Sequence, residues 1–146
     1  MTRPDPTPDD AVEIIEREMT AFARRARAAA AWMHPELSLV SFTLLSRLED
    51  RDGSRVVDLA AHYRLDKSTV SRQVAALERD GLIERRPDPG DHRAQVLHLT
   101  AAGRRALAGA SARRHELFAE RLADWPAEDL ARFADYVVAF NARARD

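Results

Sequence analysis

Cysteine is missing from the 146 residues, which excludes disulfides, a thiol nucleophile, a thiol redox sensor and a thiolate metal site. Lysine is nearly missing too, with Lys67 alone beside 22 arginines. The guanidinium fork suits phosphates and guanine edges, although a bias spread over a whole chain also follows from the base composition of a gene. Net charge is almost nil, 23 basic side chains against 24 acidic, so nothing pulls the whole molecule toward nucleic acid or an anionic membrane. No apolar run approaches the roughly 20 residues that span a bilayer. The first ten residues are acidic and proline-rich rather than basic then apolar as in a secretory leader. A soluble, cytoplasmic, single-domain protein is expected from these absences. Ser38, Ser41, Ser68 and Ser71 lack glycine-flanked elbows, and the five glycines build no phosphate-cradling loop, so no catalytic residue, no cofactor and no enzyme is expected.

The charge is unevenly spread. Residues 1–20 hold two basic and six acidic side chains, which leaves the other 126 slightly positive. Local features therefore decide whether nucleic acid is a partner. Five histidines, His34, His62, His92, His98 and His115, include no i, i+4 pair and have no cysteine beside them, so no metal site is expected.

Hydrophobic periodicity supplies the elements. Val12, Ile15, Met19, Phe22, Ala26, Ala29 and Met33 step by three and four, which predicts a long helix ending before Pro35. Ser38 caps a second helix carrying Phe42, Leu45 and Leu48, closed by the loop from Asp50 to Ser54. A third runs from Val56 to Tyr63. Asp66 opens a fourth reaching Asp80, with Gly81 as its left-handed cap, and only Arg64 and Leu65 separate this helix pair. Leu82–Arg86 and Ala94–Leu99 read as strands of a hairpin joined by the turn-rich segment Pro87–Arg93. Thr100 caps a helix running toward Trp125. Pro126 fits the first turn of a last helix, where Leu130, Phe133, Val137, Phe140 and Ala144 again step by three and four. The fold class is mainly α with a small β-hairpin. A monomeric bundle gives the same terminal stripes, but too little chain remains to cover them, so Val12, Ile15, Met19, Phe22, Leu130, Phe133, Val137 and Phe140 are expected to form a homodimer interface. Trp32, Met33, His34 and Phe42 cluster at the first bend, where an aromatic ligand or ordinary packing fits equally.

With Val70, Val74 and Leu77 as the buried stripe of the fourth helix, the 100° step puts Ser68, Arg72 and Arg79 opposite and Thr69 and Ser71 on the flanks. Such a face is small, hydroxylated and cationic. It offers donors to phosphate, a fork for a guanine edge and small residues for close approach in a major groove. Ordinary surface arginines on a solvated helix show the same pattern; the short helix before it and the hairpin behind it favour DNA. At the hairpin tip, Asp91 could orient the Arg93 side chain into a narrow minor groove, and protonated His92 could meet phosphate; an ordinary exposed turn of mixed charge is the alternative there.

Leu59-Ala60, Ser68-Thr-Val-Ser-Arg72, Leu77-Glu78, Gly81-Leu-Ile83, Arg85-Arg86-Pro87-Asp88, Asp91-His-Arg93 and Leu99-Thr100 with Gly103 together resemble the MarR family of winged helix-turn-helix transcription regulators over nearly the whole chain. The resemblance implies a winged helix-turn-helix with N- and C-terminal dimerisation helices. Residues 1–10 would be a disordered acidic tail, 11–36 and 100–146 the dimerisation region, and 37–99 the DNA-binding lobe. It implies Ser68, Thr69, Ser71 and Arg72 as groove and phosphate contacts and Arg93 as a minor-groove finger held by Asp91; Lys67, Gln73, Arg79 and His92 complete the expected set. The implied function is a homodimeric regulator of a pseudo-palindromic double-stranded operator, a repressor relieved by a small molecule bound between the dimerisation helices and the lobe. A winged-helix protein-interaction module without DNA is the competing class. Two positions depart from the family pattern: Arg64 stands where glycine is frequent, which would force a side chain into positive φ at about 1 kcal/mol, and Ser41 stands where a glutamine is frequent.

Overall fold

A computed structural model describes residues 7–33 and 37–143. The elements run α1 (Pro8–Met33), α2 (Leu39–Asp50), α3 (Val56–Tyr63), α4 (Lys67–Arg79), β1 (Ile83–Asp88), β2 (Asp91–Leu99), α5 (Ala101–Leu122) and α6 (Ala127–Arg143). Contacts divide the chain into two units after Ala110, within α5. Among the described residues no helix is long and apolar enough to cross a membrane.

In the first unit α1 begins earlier than its apolar stripe suggests. The Thr7 hydroxyl accepts the Asp10 N–H at 3.2 Å while the Thr7 N–H donates to Asp10 Oδ2 at 3.0 Å, a reciprocal cap with Pro8 in the first turn, where its missing donor costs nothing. Residues 8–10 are therefore helical, which corrects the expected tail over 1–10; residues 1–6 lie outside the described residues. So do His34 and Pro35, and with the side chains of Ala29, Trp32 and Met33 they leave the clustering at the first bend undescribed. Phe42 is half-buried.

Leucines of α2 build the centre. Ser38 caps the helix by accepting the Ser41 N–H at 3.0 Å, which aims Leu44, Leu45 and Leu48 into a core shared with Leu59 and Ala60 of α3, Val70, Val74 and Leu77 of α4, and Ile83, Leu97 and Leu99 of the hairpin. Leu107 and Ala110 of α5 join the same core, so the lobe extends beyond residue 99.

Helices α3 and α4 end in the same way. Arg64 N–H reaches the Ala61 carbonyl and Leu65 N–H the Ala60 carbonyl; Gly81 N–H reaches Glu78 and Leu82 N–H reaches Leu77. Both are Schellman turns, which need a left-handed residue after the helix. Gly81 supplies it at φ 71° and Arg64 at φ 51°, so the departure from glycine at residue 64 is met by positive φ rather than by a different turn.

The hairpin is antiparallel, pairing Ile83 with Leu99 through Pro87 with Gln95, and its register shifts between Pro87 and Asp88. The strands are longer than expected because pairing resumes past this bulge with Asp88 opposite Asp91, leaving Pro89 and Gly90 as the turn. At the other end, Thr100 accepts the Gly103 N–H at 3.0 Å and donates to the Gly81 carbonyl at 2.6 Å. This brings α5 so close to the exit of α4 that a Cβ on Gly103 would lie 2.0 Å from the Leu82 carbonyl oxygen.

The second unit comprises the rest of α5 and α6. Trp125 and Phe133 stack with centroids 5.4 Å apart, and the Arg114 guanidinium lies over Phe118. No residue of α6 is buried among those described. Leu130 is half-buried, whereas Phe133, Val137 and Phe140 are exposed.

Candidate nucleic-acid interface

The amphipathic face of α4 is as its spacing predicts. Val70, Val74 and Leu77 are buried, Lys67, Ser68, Arg72, Ala75 and Arg79 are exposed, and Thr69 and Ser71 lie half-buried on the flanks. Gln73 differs from the rest of the expected DNA-binding set. It is half-buried, and its side-chain carbonyl accepts the Ser41 hydroxyl of α2 at 3.2 Å. Ser41, at the position where the family pattern suggests glutamine, is thus satisfied by a glutamine from another helix. A buried hydroxyl needs such a partner, so Gln73 serves the seam between α2 and α4, with its carbonyl spent there.

The arginines fall into two classes. Arg85 donates to Glu78 at 3.0 Å, Arg86 pairs with Glu84, and Arg55 pairs with Asp88 through Nε at 3.1 Å and through Nη2. Among the described residues, Lys67, Arg72, Arg79 and Arg93 have no carboxylate within 4.0 Å. The cations left uncommitted thus include those on the outer face of α4 and on the wing. A side chain already paired gives up that pair on meeting phosphate, whereas an unpaired one releases only counterions. A chain of nearly zero net charge can therefore still present a cationic surface.

Asp91, His92 and Arg93 are all exposed at the start of β2. Asp91 holds the Arg93 backbone, not its guanidinium: its carboxylate accepts the Arg93 N–H at 3.1 Å. This corrects the expectation that the carboxylate orients the side chain: an Asp carboxylate readily accepts the backbone N–H two residues on, and here it does so. The guanidinium is left to extend outward.

Three contacts that local sequence patterns do not reveal tie the wing to the loop before α3. At the root, His98 Nδ1 lies 2.7 Å from Asp52 Oδ1, and that hydrogen bond holds the Asp52 carboxyl below its usual range. Beside it, buried Ser54 and Leu97 exchange two backbone hydrogen bonds at 3.2 and 2.9 Å. At the tip, Asp88 accepts from Arg55 on one oxygen and from the Gly90 N–H at 2.9 Å on the other, which holds its carboxyl below the ordinary range, the Arg55 bond contributing most. The Gly90 bond is an Asx turn, legible in Asp88-Pro-Gly90; the Arg55 bond spans 33 residues and has no local signature.

A family model described as the MarR family matches residues 37–94, the stretch from the start of α2 to the wing. An uncharacterised HTH-type transcriptional regulator of Bacillus subtilis, YxaD, is 35% identical over 132 residues, covering 89% of this chain and 92% of that protein. The HTH-type transcriptional repressor NicR of Pseudomonas putida is 32% identical over 69 residues, 47% of this chain and 44% of its own. Among solved structures, a MarR family protein from Bacillus stearothermophilus superposes with a TM-score of 0.83 at 18% identity, over 97% of this chain and all of that one, a likeness of fold.

Proposed function

The chain belongs to the MarR family and is a DNA-binding transcriptional regulator; on that premise we propose that it works as a homodimer on a pseudo-palindromic operator, represses from there and leaves when a small-molecule effector binds. The observation that carries the DNA-reading surface is the set of exposed, uncommitted cations Lys67, Arg72, Arg79 and Arg93. In this reading α4 enters the major groove. Arg72 reads a base edge, and Ser68, Thr69, Ser71, Lys67 and Arg79 contact phosphates. Arg93 enters the neighbouring minor groove, with His92 beside it on the backbone and Asp91 fixing the strand from which it projects.

A homodimer is supported by apolar side chains that α1 and α6 leave exposed, Val12, Ile15 and Met19 on one and Phe133, Val137 and Phe140 on the other; Phe22 and half-buried Leu130 continue these stripes. Dimerisation sets two copies of α4 about 34–36 Å apart, one helical turn of DNA. Residues 37–110 then form the reading lobe, and the terminal helices the dimerisation region. Repression is supported by the relative NicR, itself named a repressor. An effector acts by binding one spacing of the lobes better than the other, and its leverage equals that difference in affinity. The protein does no chemistry of its own in this scheme and works in the cytoplasm, with the DNA.

A gel-shift titration against the DNA upstream of its own gene, repeated at several salt concentrations, tests this reading. Lys67 and Arg79, the two phosphate-contacting cations of each protomer, predict that log K falls with log salt at a slope of about −4 for a dimer. Absence of binding at low salt, or binding without a salt slope, would leave a protein-interaction module instead.

A further inference from the structure

We propose that Arg55 is a positioning residue for DNA reading: through Asp88 it locks the wing tip to the start of α3 and so fixes where Arg93 meets the minor groove. The inference rests on the DNA-reading surface assigned above and adds a residue that surface did not include. Arg55 is the N-cap residue of α3, yet its side chain makes no capping bond; it turns instead to Asp88, two of its N–H groups meeting one carboxylate oxygen. The other oxygen of Asp88 holds the Gly90 N–H and shapes the turn. A single carboxylate therefore joins the hairpin turn to the helix that precedes α4.

The joint matters because of where the other ties end. The Ser54–Leu97 bridge and the Asp52–His98 contact hold the root of β2, and Glu78 of α4 holds Arg85 of β1. Outward of the Arg86–Val96 pair the hairpin is a two-stranded ribbon interrupted by the bulge at Pro87 and Asp88, and such a ribbon is marginal alone. Arg93 projects from this outer part. Without the Arg55–Asp88 pair the ribbon keeps its strand pairing but pivots about its root, so Arg93 samples many positions instead of one. Minor-groove reading depends on placing a guanidinium in a narrow channel, and ordering it only upon binding weakens the complex.

Arg55 could instead contact phosphate itself, and the two roles differ in sign at Asp88. Removing the Asp88 charge beside DNA strengthens binding if electrostatics alone matter and if Arg55 is released to phosphate; it weakens binding if the pair positions the wing. Asp88→Asn is the suitable change because Asn retains an oxygen for the Gly90 N–H. The experiment uses the full chain and a duplex selected by the wild-type protein from a random-sequence pool, read by gel shift and hydroxyl-radical footprinting. Asp88→Asn and Arg55→Gln should each weaken binding about three- to tenfold, and the double variant should be no weaker than either single one, as for residues acting through one pair. Both should lose protection at the outer minor groove while keeping that of the major-groove core, and Arg55→Lys should restore it in part. In an Arg93→Ala background neither change should cost anything further. Unchanged or tighter binding by Asp88→Asn, or penalties that persist without Arg93, overturns the inference and leaves the DNA reading intact. Failure of the wild-type protein to select any duplex removes both.

Discussion

The reading lobe and α6 carry the same kind of apolar stripe and meet opposite fates. In α4, Val70, Val74 and Leu77 step by four and three and are 0%, 1% and 2% exposed; in α6, Phe133, Val137 and Phe140 step by four and three and are 45%, 41% and 55% exposed. Periodicity states that a face wants to leave water; it does not state what covers it. For α4 the cover is α2, α3 and the hairpin within the same chain. For α6, burial of three large apolar side chains is deferred, and large exposed apolar faces mark interaction sites. The lobe is thus complete within one chain, whereas the exposed face of α6 is the one the proposed homodimer would cover.

The comparison breaks most sharply if α6 is given charge. Val137→Asp combined with Phe140→Asp should raise the dimer dissociation constant by about a thousandfold or more, roughly 4 kcal/mol, since carboxylates cannot enter an apolar seam unpaired. Sedimentation velocity reads this directly, and circular dichroism should still show a folded lobe. A dimer that survives places the interface elsewhere. Gly103→Ala tests the other side of the comparison. Its Cβ would meet the Leu82 carbonyl oxygen at 2.0 Å, a backbone atom that no rotamer change can move aside, so about 3 kcal/mol of lobe stability should be lost. Chemical denaturation measures it, and a loss below about 1 kcal/mol would mean that α5 shifts freely at its start.

A smaller effect is expected where the lobe meets DNA. Arg72→Ala should cost about 2 kcal/mol of operator affinity and relax preference at one base position without altering the thermal midpoint, because its exposed side chain supports no packing. Competition shifts with base-substituted duplexes check it; uniform weakening across all bases would make Arg72 a phosphate contact.

What could be read beforehand follows from the range of the interactions. Helix faces and the caps at Ser38 and Thr100 are set by neighbours within a few residues and are legible in spacing and residue type, whereas the left-handed Arg64 is legible only against the family pattern. The cap of α1 was also present, in Thr7-Pro8-Asp9-Asp10, but the acidic, proline-rich composition around it resembles a tail, and proline in a first turn is easily taken for a breaker. The role of Gln73 and the Arg55–Asp88 joint lie beyond such reading. On a wheel Gln73 is another polar flank residue, and only the approach of Ser41, 32 residues away in sequence, turns it inward. The free or paired state of each arginine, which decides the cationic surface, is likewise a tertiary property invisible in a net charge of −1.

The smallest predicted effect uses the two like helix ends. Gly81 and Arg64 occupy the same place in the same Schellman turn, yet one is glycine and the other a long side chain. A Cβ on Gly81 would meet nothing within 4 Å, so Gly81→Ala isolates the backbone penalty of positive φ, about 1 kcal/mol of lost stability. Arg64→Gly removes that penalty and should stabilise the lobe, but by less than about 1 kcal/mol, because glycine also frees the unfolded chain and the interactions of the Arg64 side chain are given up. Both are read from denaturant midpoints at constant m. Equal and opposite shifts would make the two ends interchangeable. A loss of stability in Arg64→Gly would show that its side chain contributes more than its backbone conformation costs, and that the α3–α4 turn is held from outside the turn itself.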